Sequence, residues 1–353
     1  MLRISMKSLS LSQTQEVGAT FIDQTKNILI SFLAAKSVIQ GDITLGIMMS
    51  LQYIIGQLNA PVQQFISFVQ ATQDAALSLE RLNEIQQMQD EESENDGKLR
   101  EIPEGASIEF KNVIFQYGGS DSLKVLDGVS FNVPNNKVTA IVGASGSGKT
   151  TILKMMLGFY HPVSGNILLG DKSLDKYSES IWRYNCGTVM QDGYIFSDTI
   201  AGNIGISDDC PDMERVRVAA NVANIDDWVS TLPLRYSTRI GADGHGLSVG
   251  QKQRILIARA AYKNAKYLFF DEATNALDAN NECLIMSNLD SLFCNKTVVI
   301  VAHRLSTICK ADNIIVLAKG QIAEQGTHRE LLRLKGIYYN LIKNQLDNNH
   351  INR

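Results

Sequence analysis

The sequence predicts a layered α/β domain with a mainly parallel core sheet, preceded by two long helices. Three observations predict it. From about Ser107, short apolar runs alternate with helical stretches. One of those runs leads straight into Gly143-Ala144-Ser145-Gly146-Ser147-Gly148-Lys149-Thr150, and a helical stretch follows. Ahead of all this, residues 1–87 carry almost no turn-forming punctuation.

At 353 residues the chain has room for two or three domains. Residues 1–87 are apolar from Ile28 to Ile39 and again from Leu45 to Val69. Neither run is a clean membrane span, which needs about 20 apolar residues. Lys36 interrupts the first, and Gln52, Gln57, Gln63, Gln64 and Pro61 lie in the second. Hydropathy alone leaves two readings open. One is a soluble helical hairpin turning at Gln40-Gly41-Asp42. The other is a pair of membrane helices whose polar sides face an aqueous path.

Residues 88–105 are acidic and poor in apolar side chains, with Asp90, Glu91, Glu92, Glu94 and Asp96 before Gly97 and Pro103. They read as a linker with a solvated face. Strands are then predicted at Ser107–Phe110, Val129–Val133, Val138–Val142, Tyr267–Phe270, Thr297–Val301 and Ile314–Leu317. Helices fit residues 150–157, 248–263 and 279–293. Lys319-Gly320 between Ile314–Ala318 and Gln321–Glu324 suggests a hairpin.

The pattern at Gly143–Thr150 is GxxxxGK[ST], a phosphate-binding loop. Its glycines let successive N–H groups converge on one anion. Lys149 brings a cation to the outer phosphates, and the Thr150 hydroxyl is placed to hold Mg²⁺. The following helix adds the positive end of its dipole. Tyr267–Phe270 runs into Asp271 and Glu272. Neighbouring residues of a strand face opposite ways, so Asp271 can serve the metal while Glu272 polarises a water as general base. Ser248 and Gln251 have capping-box spacing at the start of the helix at 248–263. That helix start reads equally well as an ordinary cap or as a second anion site.

The net charge of −4 gives no basic footprint, so nucleic acid is not favoured. Cys186, Cys210, Cys283, Cys294 and Cys309 show no CxxC spacing. That argues against a zinc site or disulfide framework and for a reducing compartment. No secretory leader is expected from the first residues. His161, His245, His328 and His350 have no motif partner and read as surface residues, while Trp182, Tyr184 and Phe196 read as packing.

With these motifs in chain order, residues 107–345 resemble the nucleotide-binding domain of an ATP-binding-cassette (ABC) exporter subunit. Leu247-Ser248-Val249-Gly250-Gln251 is similar to the family signature LSGGQ. Asp271-Glu272 running to Asp278 resembles the Walker B acids and D-loop, Gln191 the Q-loop, and His303 the switch histidine. The resemblance implies roles. Tyr117 would stack on adenine, and the phosphate cradle would run from Gly143 through Ala144, Ser145, Gly146, Ser147, Gly148, Lys149 and Thr150 to Thr151. Mg²⁺ would take Thr150, Gln191 and Asp271. Glu272, His303 and Gln191 would carry catalysis. Ser248 and Gly250 would reach the nucleotide of a second subunit, with Asp278 at the interface.

The resemblance extends to residues 1–87. Ala35–Gly46 resembles the outer turn between the last two membrane helices, and Asn59–Val62 with Ser78–Leu82 resembles the sixth helix and its extension. Gly56–Pro61 and Gln191–Phe196 are most similar to exporters that carry a peptidase domain and secrete peptides or bacteriocins. The expected organisation is a partial membrane domain at 1–87, a linker at 88–105, the nucleotide-binding domain at 106–345 and a polar tail at 346–353. The expected function is ATP-driven export as a membrane-bound dimer, with the nucleotide-binding domain on the cytoplasmic side. The alternative is a fragment that binds ATP and transports nothing, because an exporter subunit has six membrane helices and residues 1–87 hold two. Two departures from the family pattern stand out. Val249 replaces the signature's first glycine, and residues 241–246 lack a Gly-Glu-Arg-Gly run.

Overall fold

In the computed structural model, the described residues are 2–87, 97–118, 122–241, 244, 246–273, 279–302 and 305–351. They fall into two compact units, Met1–Asp90 and Glu91–Arg353. The first unit is a pair of helices, α1 (Leu2–Ile39) and α2 (Leu45–Gln86). The predicted turn is there, with Gly41 at φ +80° and Thr44 capping α2 through the Ile47 N–H. Lys26 Nζ donates to Asn59 Oδ1 at 3.0 Å and Gln52 Nε2 to Ser31 Oγ at 3.4 Å, tying α1 to α2. Among the described apolar side chains of this unit, only Ala34 is buried. Phe21, Ile22, Phe32, Phe65 and Phe68 are each more than 60% exposed. No helix among the described residues is long and apolar enough to cross a membrane.

The second unit is built on two sheets. Strands β1 (Ile108–Gln116), β2 (Lys124–Val133), β4 (Ser164–Leu169) and β5 (Lys172–Ser173) form an antiparallel sheet in the order β2-β1-β4-β5. Strands β3 (Val138–Gly143), β6 (Cys186–Val189), β9 (Tyr267–Asp271), β10 (Thr297–Val301), β11 (Asn313–Ala318) and β12 (Gln321–Gly326) form a second sheet in the order β12-β11-β3-β10-β9-β6. Every pairing in it is parallel except the terminal β11–β12 hairpin. A two-stranded ribbon, β7 (Asp198–Thr199) with β8 (Arg239–Ile240), completes the strands. The helices are α3 (Lys149–Met156), α4 (Glu179–Tyr184), α5 (Ile200–Ile204), α6 (Met213–Val222), α7 (Asp226–Thr231), α8 (Val249–Lys263), α9 (Ala279–Phe293), α10 (Leu305–Ile308), α11 (His328–Leu334) and α12 (Ile337–Ile351).

The parallel strands are mainly apolar because both their faces are covered. Their side chains alternate between two cores. Ala140, Val142, Leu268, Phe270, Val298 and Ile300 join one core with residues of α5, α6, α8 and α9. Ile141, Tyr267, Phe269, Val299 and Val301 join the other with α3 and the antiparallel sheet. Trp182 anchors this second core, with its Nε1–H on the Met156 carbonyl at 2.8 Å and its ring against Tyr267. Tyr184 and Phe196 differ from the packing expectation, being 74% and 44% exposed. His328 differs too. It is half-buried, 2.6 Å from the Tyr338 hydroxyl and beside Cys309, so α11 and α12 share it rather than solvent.

Candidate nucleotide site

Gly143 ends β3, the second strand in from the β12 edge and flanked by β11 and β10. A Cβ at Gly143 would lie 2.2 Å from the Leu317 carbonyl oxygen, so only glycine lets the chain leave β3 so close to β11. Gly146 and Gly148 turn the loop at φ +76° and +104°, in the region glycine favours. Gly148 also abuts Leu126, whose Cδ2 would be 2.8 Å from an added Cβ. The loop then enters α3, whose buried face (Ile152, Leu153, Met155, Met156) pins it to the sheet.

Within the loop the Lys149 ammonium is buried and donates to the carbonyls of Gly143 and Ala144 at 3.0 and 2.9 Å. Loss of hydration lowers its pKa, against the pull of Glu272 and Asp271. The Ser147 hydroxyl is buried with no hydrogen-bond partner among the described residues.

Asp271 ends β9 with the same strand parity as Tyr267 and Phe269, which places it on the face that carries α3. It is fully buried and neither carboxylate oxygen has a hydrogen-bond partner among the described residues. Burial raises its pKa. The Thr150 hydroxyl, near but outside hydrogen-bond geometry, and the Lys149 cation oppose that rise, whereas Glu272 adds to it. Buried polar groups are ordinarily bonded, so orphans at Ser147 and Asp271 mark a place prepared for a polar ligand. Hydroxyl and carboxylate are the hard oxygen donors a Mg²⁺ takes, with phosphate oxygens and water completing its shell. The donor set fits that ion.

Glu272 follows in the left-handed region at φ +51°. That costs a non-glycine residue on the order of 1–2 kcal/mol. Its backbone is held from two sides. The N–H donates to the Val301 carbonyl at 3.2 Å, and the carbonyl accepts from Gln253 Nε2 at 2.9 Å. Gln253 lies on α8, so its bond spans from that helix to the end of β9.

Gln191 is exposed, two residues beyond β6, whose Val189 pairs with Phe270 just before Asp271. Tyr117 is 44% exposed, with its hydroxyl 3.0 Å from Thr151 Oγ1. Its ring meets Phe115 and Tyr160 edge-on at 5.0 and 5.3 Å. Sequence reading did not single out Tyr160, which stands ten residues past the loop's glycine-lysine-threonine triplet. Ser248 caps α8 in a capping box with Gln251. Gly250 lies in the same first turn, and Val249 is 72% exposed. Lys149, Thr150, Asp271 and Glu272 thus meet around one loop. His303 and Asp278 lie outside the described residues.

Residues 126–275 match the family described as ABC transporter. The chain is 38% identical over 344 residues to the leukotoxin translocation ATP-binding protein LktB of Mannheimia haemolytica and of Bibersteinia trehalosi. That alignment covers 97% of this chain and 48% of each relative, so the chain spans about half their length. Among solved structures it is similar to a bacterial Atm1-family ABC exporter with ATP bound. The TM-score is 0.74 at 32% identity, over 94% of this chain and 59% of that one.

Proposed function

Because residues 126–275 form an ABC transporter domain, we propose that the chain binds and hydrolyses ATP, and that hydrolysis powers export through a membrane assembly of two such subunits. The observation that carries the nucleotide reading is a pair of buried groups, Ser147 and Asp271, without a hydrogen-bond partner among the described residues, beside a buried lysine in a glycine loop. In the free protein Lys149 is held by the loop's own carbonyls. An entering triphosphate exchanges those carbonyls for phosphate oxygens, with the loop N–H groups and the α3 N-terminus closing around the same charge. Thr150, Asp271 and Gln191 would hold Mg²⁺, which supplies charge neutralisation between the outer phosphates. Glu272 accepts a proton from the attacking water, and His303 orients that water and the terminal phosphate. Tyr117, beside Tyr160, offers an aromatic edge for adenine. Ser248 and Gly250 at the α8 start would reach the nucleotide of the second subunit, and Asp278 would serve the interface between the two subunits.

The exposed apolar side chains of α1 and α2 support a membrane setting, since a helix pair in water would bury them. The nucleotide-binding domain then lies on the cytoplasmic side. The relatives are named for leukotoxin translocation, which supports a peptide or protein cargo. The test uses the full chain in detergent micelles. Glu272→Gln should bind MgATP, fail to turn over and double in mass by light scattering. A monomer at every ATP concentration, from a wild-type chain that shows no turnover, refutes the proposal.

A further inference from the structure

The bond from Gln253 to the Glu272 carbonyl is a second connection that motif spacing does not reveal. We propose that Gln253 is a positioning residue that couples the first turn of α8 to the backbone angle of Glu272. The inference rests on the nucleotide reading above and adds a route between the two sites of the assembly.

Glu272 stands in a left-handed conformation that a free chain end would abandon. Such a conformation persists only where its surroundings fix it. Its N–H is fixed by β10, through the Val301 carbonyl. Its carbonyl is fixed by α8, through the Gln253 amide. With its N–H held by β10 and its carbonyl by α8, a displacement of the α8 anchor drags the Glu272 Cα between them, and with it the root of the carboxylate. Gln253 is therefore positioned to set where the general base points without touching substrate.

Gln253 lies five residues beyond Ser248, the cap of α8. That is about 7.5 Å along the axis of one continuous helix. The helix is stiff over this distance. Ile255, Leu256, Ile257 and Ala258 bury its next turn, and the Arg254 guanidinium donates to the Asn224 carbonyl at 2.9 Å. A shift of the α8 start on meeting the second subunit's nucleotide is thus carried to Glu272 of the first. The side chain at position 253 must supply a donor of glutamine reach. Shape alone does not suffice.

The experiment compares steady-state ATP hydrolysis by the full chain in detergent for wild type, Gln253→Met, Gln253→Glu and Gln253→Lys. Methionine keeps length and volume without a donor. Glutamate keeps shape without one. Lysine keeps a donor. The first two should lose about ten- to hundredfold in kcat with KM for MgATP within about twofold, because the lost contact aims the base and binds nothing. Gln253→Lys should recover most of the loss. Each variant's melting temperature checks that it folds, and a variant that unfolds is replaced in the comparison by the other donor-free one. Full kcat in either folded donor-free variant overturns the inference while leaving the nucleotide reading intact. A matched rise in KM, or no rescue by lysine, also overturns it. A wild-type chain without turnover overturns both.

Discussion

Replacing Asp271 with asparagine should stabilise the nucleotide-free protein and abolish its response to MgATP. Asp271 is fully buried and both its oxygens lack a protein partner among the described residues. An unsatisfied buried group costs about 1–3 kcal/mol, and a charged one more. Asparagine keeps the shape and the polarity but removes the charge, so the gain is the difference, about 1–2 kcal/mol. For a domain of this size that is roughly 2–8 °C in melting temperature. The sign with pH follows from the raised pKa of the folded state. The protonated carboxyl suits the fold, so stability is fullest below the ordinary carboxylate range and is lost as pH rises through the raised value. Asparagine does not titrate. Its advantage over wild type should therefore grow as pH rises from the ordinary carboxylate range and level off above the raised value. Saturating nucleotide at about a hundred times its Kd stabilises the wild type by about 2.7 kcal/mol. The variant should gain almost nothing at the same concentration, so the order of the two melting curves inverts. Differential scanning fluorimetry with and without MgATP reads both effects. A variant less stable than wild type without nucleotide, or one with the same nucleotide shift, refutes the reasoning.

Gly143→Ala should destabilise by about 1–3 kcal/mol, because the added methyl meets the Leu317 carbonyl. Gly146→Ala, with open space around it, should cost only about 1 kcal/mol for its backbone angle. Urea unfolding separates the two, and equal midpoints would contradict the geometry. Lys149→Ala should lose measurable binding of a fluorescent ATP analogue while keeping its far-ultraviolet dichroism, and retained affinity would remove the loop from the site. Trp182→Ala, which vacates the second core, should cost about 3–5 kcal/mol, seen as a large drop in melting temperature. A change under about 1 kcal/mol would mean the cavity collapses freely.

Much of the second unit was legible because its strands are buried on both sides. β3, β9, β10 and β11 are short, mostly apolar runs, which have few other interpretations in an alternating chain. The phosphate loop was legible for a different reason: glycine, lysine and threonine at fixed spacing answer to one backbone geometry. The antiparallel strand β4 was not, since Ser164-Gly165-Asn166 opens it with turn-forming residues. β6 begins Cys186-Gly187-Thr188 and is a strand only because β9 lies beside it. The short helices α5 and α7, five and six residues long, have too few turns to show a period. Tyr160 beside Tyr117 and Gln253 beside Glu272 are contacts between distant segments, which periodicity does not encode. The left-handed angle at Glu272 has no signal in its residue type, and only the partners on either side reveal it.

The order of strands in the large sheet has a consequence for biosynthesis. β3 pairs with β10 and β11, whose codons are read long after its own. Roughly 150 residues separate them, so at ribosomal speeds a nascent chain waits about 8–30 s before either edge of β3 is covered. The β1–β2 hairpin can close early, from neighbouring sequence. The glycine loop therefore ripens late in translation, and through that interval the growing polypeptide presents two bare apolar edges to chaperones and to its own copies.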